Sequence, residues 1–134
     1  MFEKNKNTVK MVFKHFPLNM HKFARPAAEA AAAAQRQGKF WPYHDLLFKN
    51  YSKLNAELIE SLAIEAGLDK AQFNADRNDP SIKAQVQKDY NDAIQAGVRG
   101  TPTFFVNGML VKDRSIEGFQ QLIDQALQKV AEKN

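Results

Sequence analysis

The chain has 134 residues, 44% of them hydrophobic and 25% charged, with a formal net charge of +4. A chain of this length supports one domain that buries roughly two-thirds of the surface it exposes when unfolded. No run approaches the roughly 20 apolar residues of a membrane helix, the lysines are interleaved with acidic residues rather than gathered into a nucleic-acid footprint, and zero cysteines exclude disulfides and thiol catalysis within the chain.

The first residues, MFEKNKN, lack the apolar core of a secretory signal, so no export address is visible and the compartment stays open. Thr8 to Phe13, TVKMVF, places Val9, Met11 and Phe13 on one face and Val12 on the other, which predicts a largely buried strand ended by Pro17. Pro26 sits where a first helical turn tolerates it, and AAEAAAAAQRQ follows with high helix propensity until Gly38. So many alanines leave a smooth helix surface suited to close packing. FWPYHDLLFKNY, Phe40 to Tyr51, reads as a short helix with Trp41, Leu47 and Phe48 to bury.

Asn55 caps a helix with Leu58, Leu62 and Ala66 on one face and Gly67 as its stop. Asp69 opens a short helix through Phe73, and Ser81 is expected to cap a longer one with Ile82, Val86, Tyr90 and Ala93 in register before Gly97. Strand-forming residues then flank Asn107-Gly108, which predicts a hairpin of Thr103 to Val106 with Met109 to Val111. Ser115 caps a last amphipathic helix in which Ile116, Phe119, Leu122, Ile123, Ala126, Leu127 and Val130 recur at helical spacing.

The order is strand, helices, hairpin, helix, with Thr101-Pro102 directly before the hairpin. The segments HFPLNMH (15–21), QGKFWPYHDLLF (37–48) and GVRGTPTFFVNG (97–108), with the alanine helix after Arg25-Pro26, resemble the DsbA-like thiol:disulfide oxidoreductase family. The resemblance implies an α/β, thioredoxin-like fold as a single domain over 1–134, with a helical insertion at about 23–97 and the thioredoxin-like remainder at about 8–16 and 98–131. It also implies disulfide formation or exchange in proteins, no cofactor, and an extracytoplasmic setting. In that family a first strand and a Cys-x-x-Cys motif at a helix start precede the strand matched by Thr8 to Phe13; MFEKNKN looks like the tail of that helix, and the strand and both cysteines have no counterpart here.

The resemblance makes Gly100, Thr101 and Pro102 the substrate-binding loop, with a cis Thr101-Pro102 bond and an extended peptide or protein as partner. Thiolate attack is the step that disulfide exchange requires, so a cysteine-free chain is expected to be inactive alone; the alternative is a redox-inactive binding module using the same loop. From local sequence alone, Thr101-Pro102 reads equally as a rigid turn entering a strand. His15, His21 and His44 have no metal-ligand spacing and read as loop and packing residues. Asp45, Glu57 and Glu60 read as solvated helix positions, and Trp41 with Phe40 and Phe48 as a core cluster. With the first strand lacking, Thr8 to Phe13 and the hairpin would leave backbone groups unpaired, so a homodimer or larger assembly through Thr8 to Phe13 is expected.

Overall fold

The computed structural model describes residues 2–18 and 20–133. The chain divides into two compact units, one formed by 14–99 and the other by 1–13 together with 100–134.

The 14–99 unit is helical. Its elements are α2 (Ala24–Arg36), α3 (Phe40–Lys49), a 3-10 turn (Tyr51–Lys53), α4 (Ala56–Glu65), α5 (Lys70–Arg77) and α6 (Pro80–Gln95), and α1 (Phe2–Asn5) belongs to the other unit. Helix α2 is the hub, because α3, α4, α5 and α6 all pack on it. Its consecutive Ala30 to Ala34 are all buried, as only a helix covered on every side permits. Methyl side chains let the surrounding helices approach closely, so the alanine run is a packing device as well as a helix former. Tyr43, Ile59, Leu62, Phe73 and Leu68 fill the space between α3, α4 and α5, while Ile82 and Val86 seat α6 against Ala32.

The caps explain where these helices start. Asn55 accepts from Leu58 N–H at 2.8 Å, and Asp69 accepts from Gln72 N–H at 2.8 Å. Helix α6 corrects the expected cap: Asp79, not Ser81, accepts from Ser81 N–H at 2.8 Å, because Pro80 occupies the first turn and moves the start two residues upstream. Gly67, at φ 85°, turns the chain out of α4 and lets Leu68 N–H reach Ala63 O at 3.0 Å. Arg36 ties the end of α2 to its neighbours, donating to Asp76 at 3.1 Å, to Asp79 at 2.9 Å and to Ser81 Oγ.

Two further corrections fall in α3. Leu47 is buried as expected, but Trp41 is 43% exposed and Phe48 is 60% exposed. The core side of this helix is Phe40, Tyr43 and Leu47, the positions three and four apart that face α2. Trp41 and Phe48 instead pack their rings on His44, at 5.1 and 4.4 Å between centroids.

The second unit holds the strands found among the described residues, β1 (Phe105–Val106) and β2 (Met109–Leu110), antiparallel with Phe105 opposite Leu110 and Val106 opposite Met109. Asn107 at φ 47° and Gly108 at φ 83° form the tight turn, a conformation that Asn-Gly adopts at least cost. Helix α7 (Ile116–Lys133) covers the hairpin, with Ile123 buried and Phe119 set edge-on to Phe104 at 5.1 Å.

Thr8 to Phe13 is not a strand, which corrects the sequence-based expectation. The amides of Thr8 and Val9 bond back to Asn5 O at 2.9 and 2.8 Å, so the end of α1 captures the start of the segment. The rest is without regular structure: residues 9–13 join neither edge of the β1–β2 hairpin, and a strand is defined by the ladder it joins. Met11 and Val12 are consequently exposed, Val12 by 61%.

Candidate functional site

The loop singled out in the sequence, Gly100 to Thr103, enters β1 and lies at the surface of its unit. Thr101 and Pro102 are exposed, Gly100 and Thr103 are half-buried, and the Thr101-Pro102 peptide bond is cis. Thr103 Oγ1 donates to Gly100 O at 2.7 Å and closes the turn locally. Beyond it, Val111 N–H donates to Phe104 O at 2.9 Å, which extends the hairpin and fixes the exit of the loop. Val111 is buried, so this bond is shielded from water and holds the loop's base.

A second segment supports the loop from the side. Arg114 Nη1 donates to Pro102 O at 3.1 Å. Arg114 is presented by the cap of α7, in which Asp113 accepts from Ser115 N–H at 3.0 Å and Ser115 Oγ accepts from Gly118 N–H at 3.1 Å. The Ser115 hydroxyl and amide hold the Asp113 carboxyl below the usual carboxylate range. Gly118 is required for space: a Cβ there would lie 2.5 Å from Asp113 Cγ and 2.7 Å from Asp113 Cβ, and closer still to the Asp113 carbonyl oxygen. Gly100, Thr101 and Pro102 are consecutive in this loop; Arg114 bonds to it directly, and Asp113, Ser115 and Gly118 form the cap that presents Arg114. Ser115 was legible as a cap. Arg114 carried no local signal, because its partner lies twelve residues upstream.

The 14–99 unit contains a separate polar cluster. His15 N–H donates to Asp89 Oδ2 at 3.1 Å, and Lys14 Nζ lies 3.8 Å from the same carboxylate. His15 is buried edge-on to Phe40, at 6.1 Å between centroids. Burial lowers the His15 pKa; Asp89 opposes that shift and His44 adds to it. His44 pairs with Asp45 at 3.1 Å on the helix surface. Among the described residues no group of three His, Asp or Glu side chains is arranged to hold a metal ion. Glu60 pairs with Lys70 and Arg77, at 3.1 and 3.5 Å, which accounts for it as a link between α4 and α5. Glu57 lies exposed in the first turn of α4, where a carboxylate favours the helix dipole.

A family model described as Thioredoxin matches residues 2–125. Among curated relatives, the Na(+)/H(+) antiporter NhaA of Herminiimonas arsenicoxydans is 38% identical over 100 residues, covering 75% of this chain and 16% of the relative. Antiporter NhaA 3 of Salinispora tropica is 39% identical over 102 residues, with the same shares covered. The chain therefore matches only about 16% of the length of these relatives. Among solved structures, a thioredoxin-like oxidoreductase from Silicibacter pomeroyi aligns with a TM-score of 0.73 at 28% identity, over 87% of this chain and 68% of that one. A cysteine-to-serine variant of DsbA from Proteus mirabilis, solved with a non-covalently bound peptide PWATCDS, aligns with a TM-score of 0.75 at 20% identity, over 94% of this chain and 75% of that one.

Proposed function

We propose, from the premise that this chain belongs to the Thioredoxin family, that it docks an extended peptide or protein segment along the Gly100–Thr103 loop and transfers no electrons itself. The observation that carries this reading is the pairing of an exposed, internally braced loop with a sequence that has no cysteine. Disulfide exchange begins with a thiolate attacking a disulfide sulfur and ends with a second thiolate leaving. A chain without thiols performs neither step, so any exchange at this loop must draw its cysteine pair from outside these 134 residues.

The fold supports the thiol-oxidoreductase type of family, and the substrate-side role is the part of that chemistry these residues can carry. Ion transport, the activity named for the antiporter relatives, is not assigned: the match covers 16% of them, and no helix among the described residues is long and apolar enough to cross a membrane.

Two measurements test the proposal separately. In an insulin-reduction assay with dithiothreitol, the chain should leave the uncatalysed rate unchanged; acceleration by protein of verified sequence would overturn the redox-inert reading. Fluorescence anisotropy with labelled PWATCDS, kept reduced, should show saturable binding that weakens when Thr101 is replaced by a bulky Trp. Absence of saturable binding would overturn the docking reading.

A further inference from the structure

We infer that Arg114 is a specificity-determining residue of the Gly100–Thr103 loop, selecting peptides that carry a carboxylate beside the docked segment; this rests on the peptide-docking reading above. A guanidinium has five N–H donors in a planar fork. The one hydrogen bond described for Arg114 places Nη1 on Pro102 O, so the group is anchored to the loop with donor capacity in reserve. Arg114 itself is exposed, and Lys112, two residues before it, is exposed as well. The acidic residue between them is already committed: Asp113 turns onto the Ser115 amide at 3.0 Å. Arg114 therefore presents its charge at the loop, with the exposed Lys112 two residues away in sequence, while the intervening anion is engaged by the helix cap.

The anchoring matters as much as the charge. A free surface arginine loses side-chain entropy when it takes a ligand, and that loss erodes most exposed ion pairs. Arg114 has already given up part of that freedom to the Pro102 carbonyl. Its remaining edge can meet a carboxylate through paired N–H bonds, a geometry that a lysine ammonium cannot reproduce. A basic residue at the same place in the peptide would meet like charge, so discrimination runs in both directions.

The test uses the whole chain and three labelled, reduced peptides: PWATCDS and its versions with the aspartate replaced by asparagine or by lysine. The aspartate peptide should bind about tenfold more tightly than the asparagine peptide, the discrimination expected of a charge-assisted, preorganised contact, and the lysine peptide should bind most weakly. In the unsubstituted protein this ratio should shrink as salt is raised. Arg114→Gln should bring the three affinities within about twofold of one another, and Arg114→Lys should keep part of the preference. Circular dichroism and the urea midpoint establish that the variants are folded, and the salt series on the unsubstituted protein needs no variant. Equal affinities for the three peptides, or a ratio that survives both salt and Arg114→Gln, overturn the role of Arg114 while leaving peptide docking intact. Binding of none of the peptides overturns docking itself, and the inference falls with it.

Discussion

Gly118→Ala in α7 sets helix propensity against packing, and the two give opposite signs. Alanine is better than glycine in a helix interior by about 1 kcal/mol, so propensity alone predicts stabilisation. At Gly118 the added methyl would lie 2.5 Å from Asp113 Cγ and 2.7 Å from Asp113 Cβ, and nearer still to the Asp113 carbonyl oxygen. A backbone carbonyl cannot rotate away as the end of a flexible side chain can, so the cap must open. Overpacking of this kind costs about 1–3 kcal/mol, and loss of the Ser115 bond to the residue 118 amide adds about 1 kcal/mol. With the propensity gain subtracted, the net destabilisation is roughly 1–3 kcal/mol. Urea unfolding followed at 222 nm measures it, with Gln125→Ala at an exposed position of α7 as a control expected to stay within about 0.5 kcal/mol of the parent. Adding Asp113→Ala to Gly118→Ala should rescue stability only in part, since the carbonyl clash remains. A Gly118→Ala protein as stable as the parent, or more so, would refute the argument and show that the cap accommodates a Cβ.

Tyr43→Phe keeps the ring against Phe73 but removes the buried 2.7 Å bond to Ile59 O, and should lower stability by about 1 kcal/mol in the same urea assay. Burial pushes the Tyr43 hydroxyl pKa up, so its contribution is complete below the unfolded value of about 10 and is lost as pH rises above it; Tyr43→Phe should flatten this alkaline decline, and identical slopes would contradict it. His15 has the opposite linkage: burial lowers its folded pKa, so its contribution is present above the unfolded value of about 6.5 and is lost as pH falls below it. Thermal unfolding of His15→Gln across that range should show a shallower acid dependence than the parent, and unchanged dependence would remove His15 as the cause. Self-association through 8–13 is proposed because Met11 and Val12 are exposed on a segment outside any strand; light scattering after size exclusion at micromolar concentration should give a dimer or larger species, with Val12→Lys shifting it to monomer. A parent protein that is monomeric throughout would overturn that proposal.

The elements that could be read from the sequence are those whose signals are local. Asn55, Asp69 and Ser115 cap because a short oxygen-bearing side chain satisfies amides two or three residues ahead, and Asn107-Gly108 turns because those residues tolerate positive φ. A turn at Thr101-Pro102 directly before the hairpin is likewise readable from the local sequence, whereas its substrate-binding role comes only from the family resemblance. What depended on distant partners was decided only by the tertiary structure. TVKMVF has the composition of a buried strand, but its first amides turn back to Asn5 and the segment joins neither edge of the hairpin, so composition alone did not make a strand. Trp41 and Phe48 have the size of core residues but lie on the side of α3 away from α2, whose alanine surface admits Phe40, Tyr43 and Leu47. Arg114 reaches the loop through a hydrogen bond spanning twelve residues, and Gly118 is required by a carbonyl five residues earlier. Periodicity along a chain records which side of an element is apolar; which neighbour meets that side, and at what separation, is settled by the packing of the whole.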